Sequence, residues 1–227
     1  MPQLTDAPCH EIIISRQEVL RYLHCSNNVK EEKILALVDK YIYQMQPLLA
    51  CKACFKYFPV SFSADRTLHL GFCETNSADL KKTLDGCREI LLFVATIGIS
   101  VDRMIQKQSL LSPLHALAAQ AVGTAAIESF CDLLCKRFAE KESKNGRYLR
   151  PRFSPGYGDL SLDIQQDIIR HLDCNRKIGI TLTSSLQMLP SKSVSALVGL
   201  STKPFHHCSP ACSLCQSIDC QFRRRTV

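Results

Sequence analysis

What this sequence lacks narrows its reading first. MPQLTDAPCH has no basic stretch followed by an apolar one, so no secretory signal peptide is expected. The longest hydrophobic run, Ile90 to Val101, is about twelve residues and already contains threonine, glycine and serine, too short to cross a bilayer as a helix. The net charge of +7 comes without a dense basic stripe or interleaved aromatics; Arg223, Arg224 and Arg225 supply three of the charges at the tail. Neither a nucleic-acid partner nor a membrane is expected, and a cytoplasmic protein is the simplest reading. No internal repeat is visible. The thirteen cysteines are odd in number and come without a secretory signal, which argues against a disulfide framework and for mostly free thiols.

What is present is the composition of a folded domain. The 227 residues are 46% hydrophobic and 22% charged, and a chain of this length buries roughly 70% or more of its unfolded surface as one large domain or two small ones.

Patterning predicts alternating helices and strands. SRQEVLRYL reads as a helix capped by Ser15, with Glu18 completing a capping box. A second helix is expected from Val29 to Leu49 on the spacing of Ile34, Leu35, Val38, Tyr41 and Ile42. CFKYFPVSF and TLHLGF read as strands, SADLKKTL as a short capped helix, and EILLFVATIGIS as a buried central strand ending near Gly98. Ser112-Pro113 opens a long helix expected to reach Lys141, which Asn145-Gly146 ends. Ser161 is expected to cap a helix over Leu162–Leu172, and IGITLTSSLQMLPSKSVSALVGLS returns to strand, interrupted by Pro190. Without a regular strand–helix–strand count, the expected class is α+β: a single compact domain with a twisted, largely antiparallel sheet and flanking helices.

Between two helical stretches lies RPRFSPGYGDLSL, Arg150 to Leu162, read as a stiffened loop. Pro151 and Pro155 fix φ and lower the entropy lost on ordering. Gly156 permits positive φ or close backbone approach. Arg152 offers a planar fork for a carboxylate, and Tyr157 a π face with a hydroxyl. These parts suit a ligand with a carboxylate and a positive centre; composition alone equally allows a Pro–Gly turn with surface arginines.

The spacing Arg152-x-x-x-Gly156-Tyr157 resembles the signature of the S-adenosylmethionine-binding activation domain of cobalamin-dependent methionine synthase. The similarity runs from about Ser15 to Ser201 and is strongest from Ile90 to Gly199, where FVATIG, AIES, RFSPGYGD and LPSKSVSALVG follow in order. The resemblance implies that domain's fold over residues 1–201, with residues 202–227 as a cysteine-rich basic tail. It also implies a stand-alone reactivation subunit, which binds S-adenosylmethionine and presents its methyl group for reductive methylation of cob(II)alamin on a partner. That partner is a cobalamin-binding methionine synthase core or another corrinoid protein, served by a one-electron donor such as flavodoxin or ferredoxin. Alone, the chain is a component of the methionine synthase system: it has no Asp-x-His-x-x-Gly cobalamin motif and is too short for folate and homocysteine modules as well.

The resemblance assigns roles residue by residue. Arg152 would hold the methionine carboxylate, the backbone of Phe153, Ser154, Pro155 and Gly156 the adenosine, and Tyr157 would face the reaction centre. Glu128, in AAIESF, would fix an amino or hydroxyl group. Read independently, Glu128 shares a helical face with Leu117, Ala121, Thr124, Ala125, Cys131 and Cys135. An acid there needs a partner, and an ion pair with Arg152 would also serve. Lys192 and Ser193 in PSKSVS are further candidates for the pocket wall, with strand and turn roles as the alternative. Gly158-Asp159 departs from the Pro- and Cys-containing segment that follows the motif in the full-length enzyme. The family's aspartate near one end and tyrosine near the other have no identified counterpart.

Cys208, Cys212, Cys215 and Cys220 are close enough to form a zinc site or hold an iron–sulfur cluster; free thiols are the alternative. Cys51-x-x-Cys54 is not at a strand-to-helix redox turn, and Cys131 and Cys135 read as small core residues. Two other functions stay open: an S-adenosylmethionine-dependent activator of another corrinoid methyltransferase, and a metal-binding interaction module centred on the tail.

Overall fold

Strand alternation decides the centre of the molecule. In a computed structural model, which describes residues 1–25, 32–63 and 67–204, Leu91, Phe93 and Ala95 enter one hydrophobic core while Ile90, Leu92 and Val94 enter another. Successive side chains of a strand point to opposite faces. A run apolar at every position therefore needs a covering layer on each side.

The strands in chain order are β1 (Gln3–Ala7), β2 (Cys51–Pro59), β3 (Ser61–Phe62), β4 (Leu68–His69), β5 (Glu74–Thr75), β6 (Cys87–Thr96), β7 (Tyr148–Phe153), β8 (Thr181–Leu182), β9 (Met188–Leu189) and β10 (Ser193–Ser201). The helices are α1 (Arg16–Tyr22), α2 (Glu32–Met45), α3 (Ala78–Thr83), α4 (Ile99–Ser109), α5 (Pro113–Ser143), α6 (Ile164–Leu172) and α7 (Cys174–Ile178). Five strands form the main sheet in the order β1-β2-β6-β10-β7, with every neighbouring pair antiparallel. β3, β4 and β5 make a small sheet, and β8 and β9 a ribbon. Residues from α1, α2, α4 and α5 join one core, and residues from α3, α6 and α7 the other. The α+β class and the single antiparallel-sheet domain are as the sequence predicts.

α5 is the long central helix. Ala118, Ala119, Ala121, Val122, Gly123, Ala125 and Ala126 are all buried, and small side chains let a helix approach its neighbours closely. By length and composition α5 also meets the description of a membrane span, but 61% of its apolar window is buried inside the fold.

Several local expectations change. The loop expected from Arg150 begins as strand, since Tyr148–Phe153 pairs with β10 at the sheet edge. The register shifts between Val198 and Leu200, leaving Arg150 and Pro151 at a bulge opposite Gly199. An edge strand and a bulge are where a residue without an N–H is tolerated, so Pro151 fits β7. Gly199 is required there: a Cβ would approach Cys87 Sγ to 2.7 Å and Leu84 Cδ2 to 2.8 Å. Of TLHLGF, only Leu68–His69 is strand. β6 ends at Thr96, because Gly98 turns the chain at φ 91° to start α4, a helix the sequence reading missed. α7 was missed as well. α2 stops at Met45, and Pro47 lies in a single tight turn after it; the expected start at Val29 is outside the described residues.

Candidate functional site

Alternation along β7 fixes which way its side chains point. Arg152 is paired with Val198, which faces the α5 core, and Phe153 with Leu197, which faces the opposite one. Arg152 accordingly lies against α5, where Nη2 donates to Glu128 Oε2 at 3.1 Å and to Asp132 Oδ1 at 2.7 Å. Phe153 packs against the opposite core, leaving its backbone as the part available to a ligand.

The two acids stand one turn apart on α5, so one guanidinium spans both. Burial lowers the pKa of Arg152, but Cys131, Glu128, Cys135 and Asp132 outweigh it and the net shift is upward. The guanidinium is a permanent cation. Burial likewise raises the Cys131 thiol, and raises Cys135 to about 11. Both are neutral thiols near pH 7, as expected for packing residues. The side chains of Glu128 and Asp132 are 31% and 52% exposed, so this ion pair is open to solvent. Tyr22, ending α1, completes the surroundings: burial raises its phenol, and the charge of Glu128 adds to the rise.

After Phe153 the chain turns sharply. Ser154-Pro155-Gly156-Tyr157 is closed by a hydrogen bond from Tyr157 N to Ser154 O, with Gly156 at φ 84°. Proline second and a positive-φ glycine third are the chemistry of a type II turn. Pro155 is buried and Tyr157 is 69% exposed, presenting its ring to solvent.

The turn is tied down from a direction the sequence did not reveal. Asp159 accepts hydrogen bonds from Ser77 Oγ, from Ala78 N at 2.6 Å and from Asp79 N at 3.2 Å, at the start of α3. The Ser77 bond, then those from the backbone N–H groups, hold its carboxyl below the ordinary range. Gly158 lies so close to Asp79 that a Cβ would meet its Oδ2 at 2.3 Å. The Gly158-Asp159 departure thus builds a latch between the motif and α3.

Glu128 is where the resemblance led, and the ion-pair alternative with Arg152 is what the ligand-free geometry holds. Its helical face is not uniformly apolar: Ala121, Ala125 and Cys131 are buried, but Leu117 is exposed. Asp132 was missed; its signal is the four-residue step from Glu128. Lys192 and Ser193 sit where α5 meets the start of β10, with Lys192 Nζ donating to Thr124 Oγ1 at 3.1 Å. Ser193 Oγ bonds Pro190 O, a turn role. A shallow concavity lined by Gln166, Arg170, Asn175 and Thr183 contains none of the candidates.

The cysteines divide sharply. Cys51 and Cys54 enter opposite cores, because a step of three along a strand changes face. They cannot act as one redox pair. Cys54 Sγ lies 3.4 Å from Cys174 Sγ in the interior. Among the described residues no three His, Cys, Asp or Glu side chains gather as metal ligands. Cys208, Cys212, Cys215 and Cys220 lie outside the described residues.

Comparison with known families decides the relationship. The family model described as the vitamin B12 dependent methionine synthase activation domain matches residues 82–207, more than half of the chain. The chain belongs to this family. The match contains β6, α5, the Arg152–Tyr157 motif and β10. Among solved structures, the activation domain is similar to the MetH reactivation domain bound to AdoHcy, with TM-score 0.65 and 15% identity over 91% of this chain and 80% of that one. No curated protein sequence matches.

Proposed function

We propose that this activation domain binds S-adenosylmethionine between α5 and the Arg152–Tyr157 motif and presents its methyl group to a cobalamin carried on a partner protein. In this reading it is a stand-alone reactivation subunit of cobalamin-dependent methionine synthase. Arg152 carries the reading: a permanently charged, planar donor held by two part-exposed carboxylates beside a rigid turn. Family membership and a structural relative determined with AdoHcy support it.

The ligand carboxylate takes donors from Arg152 in a two-pronged contact. The guanidinium loosens from Glu128, whose carboxylate then accepts from the ligand's amino group. The backbone from Phe153 to Gly156 lies along the adenosine, and Tyr157 covers the methyl-bearing side. In the docked complex the partner's cobalamin, once reduced by one electron from a flavodoxin- or ferredoxin-like donor, would take the methyl group from the sulfonium sulfur, with S-adenosylhomocysteine as the leaving group. The chain's own contribution is position, since an in-line approach requires the reacting atoms to be held together.

Calorimetric titration with S-adenosylmethionine tests this. Saturable binding is expected, and Arg152→Ala should weaken it by about 1.5 kcal/mol or more, the worth of a charged hydrogen bond. No heat at millimolar ligand ends the reading. Activation of another corrinoid methyltransferase is the second reading, favoured by the Gly158-Asp159 latch, which gives the rim beside Tyr157 its own shape; co-purification with cobalamin proteins separates the two. We propose residues 202–227 as a separate tail, whose zinc or iron content is read by metal analysis after anaerobic purification.

A further inference from the structure

Lys192 is held in a way that its place in β10's lead-in does not require. Its carbonyl accepts from Ile97 N at 3.2 Å, and the preceding Ser191 is bonded through both N and Oγ to the buried Asp102 of α4. The root of the side chain is fixed. Its stem then crosses α5 at Gly123, where a Cβ would come within 3.1 Å of Cε and 3.3 Å of Cγ. A mid-helix glycine costs about 1 kcal/mol relative to alanine, and here it makes room for the lysine. The ammonium arrives at Thr124, one turn before Glu128, with Thr124 Oγ1 as its hydrogen-bond acceptor among the described residues. Of its three donors, two remain.

The direction of β7 relates this cation to the proposed site. β7 runs antiparallel to β10, with Phe153 opposite Leu197. The chain continuing through Ser154–Tyr157 therefore heads toward the start of β10, where Lys192 lies. A ligand with its carboxylate on Arg152, lying along that turn, extends toward the ammonium. Along α5 the order is Thr124, Glu128, Asp132, with Lys192 at the first and Arg152 at the other two.

We propose that Lys192 is a binding residue for the nucleoside end of the ligand, donating from Nζ to a ribose hydroxyl oxygen or a purine ring nitrogen. This rests on the S-adenosylmethionine reading above. Burial lowers the lysine's pKa, with the charge of Asp102 opposing the shift, so the ammonium gives up solvation where it stands. Removing it should not lower stability.

The test uses calorimetry on the full chain with two probes: S-adenosylhomocysteine, and methylthioadenosine, which has the nucleoside without the amino-acid end. Lys192→Met keeps the stem on Gly123. It should weaken both probes by about tenfold or more, the size of a charged hydrogen bond, with a melting temperature no lower than wild type. Lys192→Arg should restore most of the affinity. Arg152→Ala should weaken S-adenosylhomocysteine and leave methylthioadenosine unchanged. The inference is overturned if Lys192→Met binds both probes within twofold of wild type, if it loses only S-adenosylhomocysteine, or if wild type binds S-adenosylhomocysteine but not millimolar methylthioadenosine. A wild type that binds neither probe overturns the S-adenosylmethionine reading instead.

Discussion

The arginine–carboxylate clusters around Glu142 and Glu128 of α5 differ in what they leave open. Near its C-terminal end, Glu142 is 1% exposed, pairs with Arg147 and accepts from Tyr57 OH at 2.6 Å, while Arg147 also reaches Glu89 of β6. Burial, with the bond to Glu142 next, raises the Tyr57 phenol, so it stays a donor at ordinary pH. Two turns and more upstream, Arg152 faces two carboxylates that water can reach. The first cluster ties β2, β6 and the residue before β7 to the helix through the buried Glu142, while Arg147 and Glu89 stay part-exposed. In the second neither carboxylate is buried, and a charged pair with a surface can exchange partners. One cluster serves architecture; the other suits recognition.

The comparison breaks most readily at the closed cluster. Glu142→Ala should cost about 3 kcal/mol in chemical denaturation, since it leaves Arg147 and Tyr57 short of their buried partner; a loss below about 1 kcal/mol would make the two clusters energetically alike. Gly199→Ala should cost about 2 kcal/mol through overpacking against Cys87 and Leu84. Because the bulge sets β7 between the clusters, this variant should also weaken S-adenosylhomocysteine in calorimetry. Glu128→Gln is expected to change stability by less than about 1 kcal/mol, as a part-exposed ion pair should. Its affinity for the same probe should nevertheless fall by about tenfold, the value of a charge-assisted hydrogen bond; the reverse pattern would mark this pair as structural too.

The smallest effect concerns the latch. A carboxyl held below its ordinary pKa contributes stability that is fully present above the unfolded value, near 4, and lost as pH falls through the lower, folded value. At neutral pH the Asp159 latch is intact, and weakening is confined to strongly acidic solution. Asp159→Asn should therefore show a shallower acid limb in thermal unfolding, with Tyr157 fluorescence reporting the loosened turn. An identical acid limb would dissociate Asp159 from the turn.

The sequence made the middle of the molecule readable because β6 is apolar at every position from Ile90 to Ala95, a pattern with few physical solutions. It misled at β7, where Pro151 and two arginines, with Pro155 just beyond, look like a loop. What makes Tyr148–Phe153 a strand is its pairing with β10, far away in sequence, whose bulge at Gly199 accommodates Pro151. α4 was invisible for a similar reason: Gly98 begins it without a side-chain cap, and ISVDRMIQKQS is mostly polar. In the candidate site, Arg152, Gly156 and Tyr157 stood out through their spacing and Glu128 through its context. Lys192 was a candidate only through its neighbourhood in PSKSVS, and Asp132 and the role of Asp159 were not seen, since each acquires its meaning from a partner on another element: Gly123, Arg152 and the start of α3.

β7 is gripped from both faces, by Val198's neighbourhood beneath Arg152 and by Leu197's around Phe153. A strand pinned on two sides stays put while one of its side chains swings. In the proposed reading, admission of a visiting anion at Arg152 would ask for a torsional adjustment at the tip of one arginine, with the surrounding framework already standing in its final place.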